Sequence, residues 1–250
     1  MNKKSIISIL ILLPLIASCR GTPIQYERAK EIKDAIKVKL SEEDYTPDVK
    51  LFTKKYYSVD GTTEVTRQEI YDREKMFHSR YEIVGGAGKS VSEYFYYRLD
   101  DPEKGLYIVD AMKIDGNWEK GKVEKTHYNT EVELKEAWTK YHNEKIIPSI
   151  LLDSKNCLNK MEEVFNYADG DEVSVNVTCM SENYESLSME SRFNLTSVVS
   201  GTDVVNTHTY KLYLKDYIIA SDERHTDASH NSSLGYNYSK AIINLPKLPS

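Results

Sequence analysis

The sequence predicts an α+β fold with a mainly antiparallel sheet. Three observations carry this. A helical stripe leads the chain, short strands with tight turns follow, and two helical stripes separate them from a second run of strands. Glycine and proline are sparse, at 11 and 7 of 250 residues, which leaves little room for long linkers. The organisation expected is a leader over 1–18, a short tether over 19–22 and a single domain over 23–250.

The leader comes first. Lys3 and Lys4 precede an apolar run from Ile6 to Ile16, broken only by Ser8 and Pro14. About 11 residues are too few for a bilayer span, which needs ~20, and suit a secretory signal. Ile16-Ala17-Ser18-Cys19 then has the form of a lipobox, with an aliphatic residue, two small residues and a cysteine. Cleavage before Cys19 and acylation of its thiol would tether the protein to a membrane on the extracytoplasmic side. Two or three acyl chains, at ~0.8 kcal/mol per buried CH₂, give stable anchoring.

In the next segment, Thr22-Pro23-Ile24-Gln25 reads as a capped helix start, and Ala29, Ile32, Ile36 and Leu40 recur at helical spacing. A helix over about 23–41 is expected to pack on a sheet. From Val49 to Lys125 the pattern changes to strands, punctuated at Asp60-Gly61, Gly85-Gly86-Ala87-Gly88, Asp100-Asp101-Pro102 and Asp115-Gly116. Such spacing implies an antiparallel meander. Within it Val91, Phe95, Tyr97 and Leu99 share one face, and Ser92, Tyr94, Tyr96 and Arg98 the other, so both faces are expected to be partly covered.

Thr130-x-x-Glu133 is a capping box, followed by Leu134, Ala137, Trp138 and Tyr141 on one helical face. Pro148 marks an expected break, after which Cys157, Leu158, Met161, Val164 and Phe165 form a second stripe ending at Asp169-Gly170. Strands are then expected over EVSVNVTCM, RFNLTSVV, THTYKLYLKDYIIAS and GYNYSKAIINLP, in one continuous sheet.

The stretches EKMFHSRYEI, EYFYYRLD, GLYIVDAMKIDGNWE and NYSKAIINLP, in this order of elements, resemble the LolA/LppX-type half-barrel lipoproteins. That resemblance implies a curved sheet wrapped around a few helices, with an apolar cavity able to hold an acyl chain. It is a likeness of pattern, and no binding residue transfers.

Several function classes lose support. Net charge is −6, or about −8 once Lys3 and Lys4 leave with the leader, so nucleic acid is not an expected partner. Gly85–Ser90 imitates a phosphate loop, but Ile83 stands where its first glycine belongs and a strand follows in place of a helix. No nucleotide and no cofactor is therefore expected. The pair Glu162-Glu163 is expected on a solvated helix face. His225, Asp227 and His230, in a polar stretch between two strands, are weak candidate zinc ligands whose spacing matches no recognised site. His78, His127, His142 and His208 are scattered. No arrangement suggests catalysis, so no enzyme is expected.

Cys157 and Cys179 both face the expected core. A disulfide closing a loop of about 22 residues, worth ~3 kcal/mol, and two buried thiols both remain open. Two functions follow from all this. The first is a lipid-anchored protein binding a hydrophobic or lipid ligand between sheet and helices. The alternative is a cell-surface or envelope interaction protein without a small-molecule site, using some of its 19 tyrosines.

Overall fold

The computed structural model describes residues 26–168 except Ala87, together with 173–180, 186–196, 203–213, 218–227, 230–238 and 242–249. Side chains are described for these residues except 26–30, 32, 161, 163–168, 173–213, 220 and 223–227. Cys19, the leader and the start of the first helix lie outside the described residues.

The elements run α1 (Tyr26–Leu40), β1 (Leu51–Asp60), β2 (Thr63–Asp72), β3 (Phe77–Gly85), β4 (Ser90–Asp101), β5 (Gly105–Ile114) and β6 (Asn117–Tyr128). Then come α2 (Glu131–Tyr141), a π-turn (His142–Ile146), α3 (Ile147–Ala168), β7 (Val173–Met180), β8 (Ser186–Thr196), β9 (Asp203–Tyr213), β10 (Ile218–Asp227) and β11 (His230–Asn237). The eleven described strands form one curved, open antiparallel sheet in the order β6-β5-β4-β3-β2-β1-β11-β10-β9-β8-β7. Pairing of β1 with β11 joins the two meanders, for example Tyr56 opposite Leu234. The fold is α+β, a half-barrel wrapped around helices.

Local chemistry accounts for the turns. The β5–β6 hairpin closes through Asp115 and Gly116 with φ of +49° and +79°, the pair of positive angles a type I′ turn demands. β3 ends at Gly85 and β4 begins at Ser90, antiparallel to it, so a strand and not a helix follows the glycines. Thr130 caps α2 reciprocally: its Oγ1 accepts from the Glu133 N–H at 3.2 Å, and Glu133 Oε2 accepts from the Thr130 N–H at 3.3 Å.

Several expectations are corrected. Pro148 does not break the helix. Proline lacks an N–H and its ring crowds the carbonyl four residues back. The π-turn immediately upstream widens the spiral, with Ile147 N–H bonding His142 O, so α2 and α3 run on through it. The stretch 207–221 is not one strand but the end of β9 and the start of β10. The strand at RFNLTSVV begins earlier, at Ser186, and ends at Thr196. The polar stretch 221–233 is not a loop, since Ser221 to Asp227 extend β10 and His230 opens β11. Backbone pairing with β9 and β1 on either side holds these polar residues in strands without an apolar pattern. The last strand stops at Asn237, and 242–249 lie outside the sheet.

The core has two parts. One lies between sheet and helices and contains Ile36, Phe52, Tyr71, Ile108, Leu134, Trp138, Ile146, Ile150, Cys157 and Ile219. The other lies on the opposite face and contains Phe77, Phe95, Tyr97, Val109 and Ala111, with Ile243 and Leu248 of the C-terminal segment packed on it. Both faces of the first meander are therefore covered. α1 contacts α3 and β7, α2 contacts β5 and β6, and α3 contacts β7, β9 and β10.

Candidate functional site

Strand register sets the side chains beneath the helices in rows. Phe52, Tyr71, His78, Tyr96 and Asp110 align across β1 to β5. The next row is Tyr236, Lys54, Glu69, Arg80, Tyr94 and Met112.

Above the first row lies an aromatic stack. Trp138 lies parallel to Tyr71 at 6.0 Å and close to parallel to Tyr96 at 5.6 Å, and Tyr141 stacks on Tyr96 at 3.8 Å. Tyr71 Oη and His142 Nδ1 are 2.6 Å apart. Burial pushes Tyr71, Tyr96 and Tyr141 well above the usual phenol range and Tyr94 up to about 12. These hydroxyls stay protonated. Burial, reinforced by the Arg73 charge, pushes His142 down to about 4.

Polar groups continue the arrangement. His78 Nε2 is 2.9 Å from Glu69 Oε1, and its Nδ1 is 2.5 Å from Tyr141 Oη. Burial raises the Glu69 pKa, but the hydrogen bond and charge of His78, with Lys54 and Arg80, outweigh it and hold the carboxyl below its ordinary value. Glu69, ionised, can only accept, so the shared proton of this pair lies on His78 Nε2, while His78 Nδ1 bonds the Tyr141 hydroxyl. Lys54 Nζ lies 2.7 Å from Asp153 Oδ2 and 3.8 Å from Glu69 Oε2, and Tyr236 donates to Asp153 Oδ2 at 2.6 Å.

Most polar groups of this cluster are paired within it. Lys54 lies between two carboxylates, Tyr71 bonds His142, and His78 bonds both Glu69 and Tyr141, while the buried Trp138 Nε1 has no hydrogen-bond partner among the described residues. The cluster's evident work is to fasten α2 and α3 to the sheet. The sequence signal was faint: Lys54 stands two residues after Phe52, and Glu69 two before Tyr71, each a charge at an inward strand position.

The clefts described lie elsewhere. One, of about 310 Å³, opens on the outer face among Ile70, Phe77, Phe95, Lys113, Ile242 and Leu245. A second, of about 400 Å³, lies on the other side of Ile242, against Thr53, Gln68 and Asn237. A third is a shallow hollow on the exposed side of α2, from Val132 to Glu144.

Other sequence candidates fall as follows. Cys157 is buried on α3, while the Cys179 side chain lies outside the described residues, as do those of His225 and Asp227. Pairing puts Asp227 opposite His230, whose Nε2 is 3.4 Å from Asp60. No cluster of metal-ligating residues occurs among the described residues. Glu162 is not a freely solvated carboxylate: Lys37 of α1 donates to it at 2.6 Å and holds its pKa down. No described helix is long and apolar enough to cross a membrane.

No protein-family model and no curated protein matches the chain. Among solved structures, it aligns with a β-barrel-like protein of domain of unknown function DUF1849 from Brucella abortus. The alignment covers 77% of this chain and 97% of that one, at 10% identity and a TM-score of 0.23.

Proposed function

We propose that this chain is a lipid-anchored extracytoplasmic interaction protein, tethered through Cys19 and engaging a partner through its outer sheet face. One observation carries the choice between the two functions. Tyr71, Tyr96, Trp138 and Tyr141 fill the space between α2 and the sheet, where a half-barrel carrier would hold its ligand, while two clefts open on the opposite face. In this reading the chain is a LolA/LppX-like lipoprotein with a non-catalytic role. Radioactive palmitate supplied to producing cells should label the wild-type protein and not Cys19→Ala; equal labelling of both would remove the anchor.

A hydrophobic ligand is the second reading. It is favoured by the half-covered Tyr56, Val65, Met112, Ile114 and Leu234, which lie on the helix-bearing face toward the hairpins. Native mass spectrometry of gently extracted protein distinguishes the two. The interaction reading expects no retained lipid beyond that covalently bound to Cys19, and a stoichiometric, extractable lipid would overturn it in favour of the carrier.

A further inference from the structure

The C-terminal segment 242–249 is fastened differently from the rest of the described chain. Ile243 and Leu248 pack onto the outer cluster of Phe77, Phe95 and Tyr97. Among the described residues, 242–249 make no hydrogen bond and no ion pair. Ile242 and Leu245 meanwhile stay 77% and 59% exposed. Ile243 and Leu248, with the half-buried Pro246, thus hold an Ile-Ile-Asn-Leu-Pro-Lys-Leu-Pro strap over a surface that is otherwise built like a core.

The surface is larger than its cover. Ile242, Asn244, Leu245 and Pro246 of the strap form one wall of the first cleft and Ile242 borders the second, so the strap lies over the outer face without sealing it. Phe77, Tyr81 and Phe95 line the first cleft, and Trp118 stands beside Phe95 at 6.1 Å, with the Lys113 ammonium over both rings. Aromatic grooves suit proline-bearing extended peptides, because such a peptide loses little conformational entropy on docking. The strap has that chemistry, with branched aliphatic residues set beside Pro246 and Pro249.

We infer that the outer-face groove is a docking site for an extended, proline-containing aliphatic segment of a partner protein, and that residues 242–249 occupy it in cis until displaced. This rests on the interaction reading above and names its partner class and its regulation. A strap held by a few apolar side chains, with no backbone bond among the described residues, belongs to the low-stability end of a fold, where displacement is easy.

The test uses the full chain and a fluorescent synthetic peptide, AIINLPKLPS, copied from its own C-terminus. Replacing Ile243 and Leu248 by serine frees the strap without touching the groove. The freed variant should bind the peptide saturably and at least tenfold more tightly than the wild type, and a scrambled peptide should not compete. Adding Tyr81→Ala, at the half-exposed rim of the cleft, or Phe95→Ala in its floor should weaken that binding tenfold or more. Circular dichroism verifies that each variant is folded, and the rim variant serves if Phe95→Ala unfolds. Equal affinity of wild-type and freed chains, no binding by the freed chain, or indifference to the groove substitutions would each overturn the inference. The assay involves neither the anchor nor lipid, so its failure is distinct from failure of the palmitate and lipid experiments.

Discussion

His142 shows how burial sets the behaviour of a single side chain. It is 2% exposed, its Nδ1 is joined to the Tyr71 hydroxyl, and Arg73 and Asp48 act on it from the strand end and the loop before β1. Its pKa is about 4 in the fold against 6.5 for the free side chain. As pH falls below about 6.5 the unfolded chain takes up this proton first, so stability declines down to about 4 and this contribution then levels off. One proton gives a slope of at most ~1.4 kcal/mol per pH unit. Thermal melts between pH 7 and 4 should show a steeper decline for wild type than for His142→Gln, which keeps a hydrogen-bonding group without the charge change. Parallel curves would contradict it. Glu69, depressed by His78, contributes stability that is lost below the ordinary carboxylate value of 4.5, so its window begins where that of His142 is ending.

Between elements, the main polar connection runs from α3 to β1 and β2. Lys54 is buried between Asp153 and Glu69, and Asp153 also accepts from Tyr236 of β11. Removing the ammonium leaves two carboxylates in a low-dielectric interface. Lys54→Met should therefore cost ~3–5 kcal/mol in urea unfolding, and Lys54→Met/Asp153→Leu should cost less than the single substitution. A double variant less stable than the single would show that the pair itself supplies net stability. The helix that carries Asp153 holds course because the π-turn accommodates Pro148. Beside it, Ser154 Oγ accepts the Ile219 N–H at 3.0 Å, next to a register shift in β10 where the ladder is irregular. The edge strand β6 is protected by different means. Its Lys120, Lys122, Glu124 and Lys125 are exposed, and Gly121 at φ +77° interrupts its regular extension, which discourages pairing with another chain.

At the scale of the molecule, most of the fold could be read along the chain. Alternation in VSEYFYYRL separated Phe95 and Tyr97 from Tyr94 and Tyr96, and both faces are indeed covered. The capping box at Thr130, the Asp115-Gly116 turn and the order of elements depend on neighbours within a few residues, so local sequence determined them. The β10–β11 hairpin was not legible, because its polar strands are held by partners that include β1, far away in the chain. The Lys54–Glu69–His78–Tyr141 cluster was hidden for the same reason. Each residue looks ordinary in its own strand or helix, and only register and helix docking bring them within 4 Å of one another. What the sequence by itself determined is the α+β class, the local turns and caps, and the lipobox expectation at Cys19, all carried by short-range pattern. Only the tertiary structure decided that the space beneath α2 is filled and that 242–249 cover the outer face, because both depend on contacts between segments too distant in sequence to leave a periodic signature.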